Sequence, residues 1–373
     1  MKHIIILLSL MSLTAFAQSQ ENNPIKSLDF GQKINQYNSQ GIKDGLWVEG
    51  DDLLRYTFYH NGVCDGLTFT YRPYPLTNTV SILKYFTKGE PKVFMLLGEG
   101  GAGVGDGPPG ALLLMALCSI NSELTTKKYP SLQEYYEIVP YYKAYTKIFY
   151  PTGNLQSEGY DVWDRDESYI VDSMESGEWK YYDTEGNVTV KKFSDMPESL
   201  INSSDSTFDF GQKINQYNSS GDKEGLWEED WGPECIAYIT YHNGKRNGLF
   251  CAYRPLTNTF SQIGEYIAGE PRMVINMGEG DLSHRETPAG RITSFALYST
   301  NKEFSIYTQD GSSFTPYYKR YEKNFYPDGQ LESEGFMIWD KDQDPEKDSI
   351  KVGEWKYCDA DGSITIENYP KDY

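Results

Sequence analysis

The chain has 373 residues, with 54 acidic against 34 basic side chains and a net charge of −20. That balance repels phosphate backbones and anionic lipid headgroups, and no Lys/Arg-rich segment offsets it locally, so nucleic acid and anionic membranes are excluded as partners. Thirty-one tyrosines and 34 glycines point to many short strands and turns, because tyrosine suits a half-buried pleated surface and glycine suits chain reversals.

At the start, Lys2 and His3 precede an apolar run from Ile4 to Leu13, and Ala15-Phe16-Ala17 offers a small-x-small cleavage site. This is the pattern of a secretory signal peptide over residues 1–17, cut after Ala17. The run is shorter than the roughly 18–20 residues needed to span a bilayer, and no cysteine follows the cut to carry a lipid. A leader over 18–27 comes next, and the expected location is secreted or periplasmic.

From there the chain says nearly the same thing twice. Phe30 to Ser39 returns letter for letter as Phe210 to Ser219. Trp47 matches Trp227, and Tyr59-His60-Asn61-Gly62 matches Tyr241-His242-Asn243-Gly244. Gly98-Glu99-Gly100 matches Gly278-Glu279-Gly280, and Gly177 to Tyr181 matches Gly353 to Tyr357. The expected division is a first half over 28–193, a polar, proline-broken linker over 194–207, and a second half over 208–373. Lys191-Lys192, at the last strand of the first half, are charges of the kind that protect a sheet edge, which favours halves that fold separately. A residue kept in both halves is needed by the shared fold or by a shared surface, so the duplication supplies an internal comparison.

Within each half the rhythm is strand, turn, strand. Tyr56 to His60 is an apolar and aromatic run, Asn61-Gly62 supplies the positive-φ positions of a tight turn, and the return strand ends near Arg72. Tyr145 to Tyr150 leads through Pro151-Thr152-Gly153-Asn154 to a partner over Leu155 to Trp163. Gly177 to Tyr182 turns at Asp183 to Gly186 and pairs with Asn187 to Phe193. Helical periodicity is confined to a short stretch from Ser131 to Glu137. The fold class is all-β, two tandem copies of an antiparallel hairpin meander.

These units resemble MORN-type repeats. The resemblance rests on Gly41 to Trp47 and Gly221 to Trp227, on Tyr59 to Tyr71 and Tyr241 to Tyr253, and on Phe149 to Gly159 and Phe325 to Gly335, with Gly-Glu-Trp-Lys-Tyr at Gly177 and Gly353. The nearest flavour is the bacterial variant labelled YwqK-type antitoxin. It implies a single-layer sheet of stacked hairpins in each copy, and it covers roughly half of the chain. Pro91 to Pro140 and Pro271 to Pro316 do not fit the repeat spacing. Trp47, Trp179, Trp227 and Trp355 lie in the repeat signatures and are expected to be structural.

The chemistry-bearing motifs fail one by one. Gly98 to Gly103 matches a dinucleotide fingerprint in form, but the second copy lacks its third glycine and Pro108-Pro109 blocks a helix start, so no cofactor is expected. Asp340, Asp342 and Asp344 alternate as calcium ligands do, yet Pro345 stands where an EF-hand needs glycine; they are a weak calcium candidate, and no other metal site is expected. No cysteine is kept in both halves: Cys64 lies opposite Arg246, Cys118 opposite Tyr298, Cys251 opposite Phe69 and Cys358 opposite Tyr182. A disulfide framework is therefore not expected, and at most Cys235 and Cys251 form an incidental bridge. His60 and His242 are kept beside Asn-Gly, without an acid or nucleophile in the pattern to make them catalytic.

One polar strip is kept. Ala116-Leu117-x-Ser119-x-Asn121-x-Glu123 recurs as Ala296-Leu297-x-Ser299-x-Asn301-x-Glu303, and period-two alternation puts its polar residues on one sheet face. With the kept pairs Glu99/Glu279 and Arg72/Arg254 it forms the candidate ligand surface. The sequence reads as an exported, non-enzymatic scaffold that binds an unidentified protein. The alternative is a module for carbohydrate or a cell-wall polymer, using its Tyr/Trp surface. An antitoxin- or immunity-type partner of a toxin stands behind both.

Overall fold

Alternation of apolar and polar residues between glycine-marked reversals gives strands with one face to bury. The computed structural model describes residues 34–100, 107–120, 142–163, 169, 173–193, 214–232, 234–278, 287–300, 306–307, 313–314, 318–340 and 349–369. Every named element is a strand. The first sheet holds β1 (Gln36–Tyr37), β2 (Lys43–Glu49), β3 (Leu54–His60), β4 (Val63–Arg72), β5 (Thr79–Thr87) and β6 (Glu90–Leu97). It continues through β7 (Leu112–Ile120), β8 (Tyr142–Phe149), β9 (Leu155–Trp163), β10 (Met174–Tyr182) and β11 (Val188–Phe193).

The second sheet holds β12 (Gln216–Tyr217), β13 (Lys223–Asp230), β14 (Ile236–His242), β15 (Lys245–Arg254), β16 (Thr259–Ile267) and β17 (Glu270–Met277). After β18 (Ile292–Thr300), β19 (Ile306–Tyr307) and β20 (Ser313–Phe314) form a separate ribbon. The sheet then resumes with β21 (Tyr318–Phe325), β22 (Leu331–Trp339), β23 (Ile350–Cys358) and β24 (Ile364–Asn368). Each sheet has 11 strands in sequence order, all neighbours antiparallel. The fold is all-β, with two tandem hairpin meanders. The short helical stretch read over Ser131 to Glu137 lies outside the described residues.

The turns follow from their residues. Asn61 and Gly62 adopt φ of 48° and 80°, and Asn243 and Gly244 adopt 49° and 74°, the left-handed pair that matches strand twist in a two-residue hairpin. The signature tryptophans sit over glycines for a steric reason. A Cβ on Gly159 would lie 2.4 Å from the Trp179 ring, and one on Gly335 would lie 2.4 Å from Trp355. Both indoles are buried and donate Nε1–H to the carbonyls of Tyr160 and Phe336, each at 2.9 Å. Trp47 and Trp227 are buried as well and donate to the Gln36 and Gln216 carbonyls. Lys43 and Lys223 lie over their rings and pair with Glu49 and Glu229.

The two meanders cover each other. One hydrophobic cluster takes Tyr56, Phe69, Leu83 and Met95 from the first sheet and Cys251, Ile263, Ile275 and Phe295 from the second. Phe295 rests against both Tyr56 and Phe69, with ring centroids 5.9 and 5.5 Å apart. Two asparagines staple the rim of this sandwich. Asn78 accepts from the Tyr71 hydroxyl (2.7 Å) and donates to the Ile292 carbonyl (2.8 Å). Its counterpart Asn258 accepts from Tyr253 (2.8 Å) and donates to the Leu112 carbonyl (2.9 Å). Backbone bonds reinforce both links, from Ile292 N to Asn78 O and from Leu112 N to Asn258 O. Gly110 and Gly290 meet between them, where a Cβ on either would fall within 2.8 Å of the other's Cα. The halves bury their inner faces against one another, and the edge lysines Lys191 and Lys192 are exposed on β11. No disulfide joins the five cysteines, so the bridge considered for Cys235 and Cys251 is not made.

Candidate functional site

With the inner faces committed to the shared core, the outer faces are the sheet surfaces left uncovered by the other copy. Register defines one row of side chains crossing the first sheet perpendicular to its strands. The row is Trp47, Thr57, Thr68, Lys84, Phe94, Ala116, Thr146 and Gly159. The same row in the second sheet is Trp227, Ile239, Phe250, Gly264, Val274, Ala296, Glu322 and Gly335. The terminal Trp and Gly and the Ala116/Ala296 pair are alike, the other positions are not.

In the second sheet the middle is closed. Ala237, Ile239, Phe250 and Ala252 form an apolar cluster, and the Arg246 guanidinium lies over Trp231, Phe250 and Tyr266 at 5.8, 5.4 and 5.4 Å. In the first sheet these positions are Arg55, Thr57, Thr68 and Thr70, with Cys64 where Arg246 stands. They line a groove of about 220 Å³ together with Tyr59, Ile82, Lys84 and Phe86. The Thr68 hydroxyl is buried in that wall without a hydrogen-bond partner among the described residues.

A second groove of about 240 Å³ adjoins the first at Lys84 and Phe86 and is walled by Phe94, Tyr142, Trp163 and Tyr169. Tyr142 stacks on Trp163 at 5.2 Å, and Tyr169 meets the edges of Phe94 and Trp163 at 5.0 and 4.9 Å. The second copy keeps the stacked pair as Tyr318 and Trp339 but fills the slot with Arg320, which lies 5.4 Å from Trp339 and bonds Glu322 at 2.7 Å. Ala144 and Thr146 occupy those positions in the first copy.

Two titratable groups are tuned here. Lys84 lies 5.3 Å over the Phe94 ring, and its ammonium is pushed down first by burial and then by the Arg55 charge. Asp161 is buried and accepts from Thr146 (2.6 Å) and Tyr169 (3.1 Å). Burial lifts its carboxyl to about 6, and the two donors pull it partly back.

The residues expected from sequence are dispersed. Arg72 and Glu99 pair at 2.9 Å beside the start of β7. Leu117 is buried in the intersheet core, and Ser119 lies at the far end of β7, seven residues beyond Leu112, or about 23 Å along a strand. Arg72/Glu99 and Ser119 therefore lie by opposite ends of β7. In the second copy Leu297 is likewise in the core and Ser299 is exposed, while Arg254 ends β15. Asn121, Glu123, Glu279, Asn301 and Glu303 lie outside the described residues, as do Asp342 and Asp344, which leaves Asp340 alone of the calcium candidates. Among the described residues no three His, Cys, Asp or Glu side chains gather as a metal site. His60 and His242 face Asp44 and Glu224 at exposed turns, 3.6 and 2.8 Å away.

No family model matches the chain, and no curated protein matches it. Among solved structures it is similar to chains of the TcdB2-TccC3 crystal structure (13% identity, 80% of this chain, TM-score 0.14) and of TcdB2-TccC3-Cdc42 (10%, 84%, 0.16). A third is the Photorhabdus luminescens Tc holotoxin pore (11%, 84%, 0.15). The chain spans 15% of the length of each. Likeness at that level carries no argument about what this protein does.

Proposed function

We propose that this chain is an exported, non-enzymatic binding protein that holds its ligand across the outer face of the first sheet. The observation behind this reading is the pair of rows. The second copy supports Ile239, Phe250 and Ala252 on the same backbone, so the fold has no need of Thr57, Thr68 and Thr70. Burying a phenylalanine there stabilises by roughly 1.5–3 kcal/mol, whereas a buried hydroxyl without a partner costs about 1–3 kcal/mol. The first copy forgoes that stability along a groove lined by hydroxyls and rings, the pattern expected where a ligand supplies the missing contacts. Hydroxyls beside aromatic walls favour a saccharide over an apolar ligand.

The experiment is a titration of soluble oligosaccharides into the chain from residue 18 onward, followed by tryptophan fluorescence, since Trp163 lines the second groove. A Thr68→Phe variant copies Phe250 and fills the groove. Binding should disappear in that variant while its melting temperature holds or rises; retained binding places the ligand elsewhere.

The protein-scaffold reading keeps one observation of its own. The terminal hairpins expose Val188 and Val190 on β11 and Ile364 and Ile366 on β24, each about half accessible, along edge strands whose backbone can pair with another chain. Capture of one defined protein, lost on changing Val188 and Val190 to serine but not in Thr68→Phe, would favour that reading.

A further inference from the structure

We propose that the first sheet's outer groove takes a carboxylated saccharide, its carboxylate held by Lys84 and Arg55 and its hydroxyls by Thr57, Thr68 and Thr70. This rests on the outer-face reading above and adds the chemistry of the ligand. The first argument is charge. In a chain of net −20, neither groove has an Asp or Glu in its wall among the described residues, and the ionised side chains that line them there are Arg55 and Lys84. Lys84 is part-buried beside Arg55, and the other titratable groups acting on it are the thiols of Cys64 and Cys118. Glu49 stands cross-strand from Arg55, but its carboxylate is taken by Lys43. Two cations lining one groove repel each other, and an anion between them relieves that repulsion.

The second argument is the hydroxyl. Thr68 is 9% exposed, its Oγ1 has no partner among the described residues, and it lies directly cross-strand from both Thr57 and Lys84. A ligand that satisfies it carries hydrogen-bonding groups within a few ångströms of its negative charge. Carboxylated sugars do, since hydroxyls flank the carboxylate on one ring. The third argument is copy specificity. Arg55, Thr57, Thr68, Thr70 and Lys84 are Ala237, Ile239, Phe250, Ala252 and Gly264 in the second copy, so every proposed contact is lost together. The adjoining slot, walled by Phe86, Phe94 and the buried Tyr142–Trp163 stack, continues the groove along the row.

The test titrates trigalacturonate, its methyl ester, a neutral galactose trimer and triglutamate into the chain from residue 18 onward by calorimetry. Trigalacturonate should bind, and more weakly as salt rises. Esterification, Lys84→Gln and Arg55→Gln should each weaken it by about tenfold or more, and Thr68→Val by several-fold, with melting temperatures near wild type. Arg55 is exposed, so its variant keeps the test alive if Lys84→Gln misfolds. Absence of trigalacturonate binding, equal affinity for the ester, or indifference to both charge variants overturns the proposal. Tighter binding of triglutamate overturns it in favour of an acidic peptide. If the neutral trimer alone binds and Thr68→Phe abolishes it, the acidic ligand is wrong while the outer-face site stands. Saccharide binding that Thr68→Phe leaves untouched removes both.

Discussion

Glu265 projects from β16 into the space between the sheets, where the first copy has Tyr85. Its Oε1 accepts the Leu67 amide at 3.2 Å, and Arg272, stacked 3.6 Å from the centre of the Phe58 ring, approaches Oε2 at 3.5 Å. Burial dominates over Arg272 and pushes the carboxyl from 4.5 up to about 7. The folded chain therefore binds this proton more tightly than the unfolded chain. The stabilisation is complete below about pH 4.5 and is lost as pH rises through about 7, a span worth on the order of 3 kcal/mol. Asp161, lifted to about 6, adds a smaller change of the same sign. Urea unfolding at steps from pH 5 to pH 8 should show falling stability, and Glu265→Gln should flatten most of the slope. A variant as pH-dependent as the wild type would show that Glu265 titrates normally.

Among the elements, the turn before β5 and the turn before β16 do the most to join the halves. Asn78 and Asn258 take φ of 52° and 53°, a conformation that costs a Cβ-bearing residue about 1–2 kcal/mol and that asparagine tolerates best. Each also satisfies one buried hydroxyl and one buried carbonyl across the rim. Asn78→Ala should lower stability by roughly 2–4 kcal/mol through strain and unmade bonds, and Asn78→Gly by less, because glycine keeps the backbone without strain. Denaturation midpoints of the two variants check this; an alanine variant with the wild-type midpoint would mean that the staple contributes nothing. Thr77-Asn78-Thr79 is kept as Thr257-Asn258-Thr259, so its repetition was visible in the sequence, but not its partners Ile292 and Leu112. Asn-Gly turns and Gly-Glu-Trp strands were legible because their residues act on their own neighbours. Leu83 and Ile263 are buried against the opposite copy, a contact that no local pattern in the sequence encodes. The groove stayed hidden for another reason. Comparing the copies favours kept residues, whereas Thr57, Thr68, Thr70 and Lys84 matter because they differ from Ile239, Phe250, Ala252 and Gly264. Hydroxyls at strand positions where the other copy is apolar were the signal.

At the scale of the whole molecule, the duplication produced one sandwich in which each half serves as the other's core partner. Equivalent strands face one another, the staples are reciprocal, and Gly110 meets Gly290 where the two halves cross. The inner faces of both copies build one core, while the outer faces differ, one an open groove and the other a filled one. Either half alone exposes an inner face built around residues such as Phe69 and Leu83, or Ile263 and Phe295, and a patch of that size drives association. Because the contact joins like surfaces, an isolated half can cover itself only with a second copy of its own chain. The most direct test expresses residues 18–196 and 204–373 separately and follows each by light scattering and thermal melting, alone and mixed. The sandwich predicts that neither half is a monomer with a cooperative transition, and that mixing restores a one-to-one complex melting near the full chain. A monomeric half that melts cooperatively would contradict it.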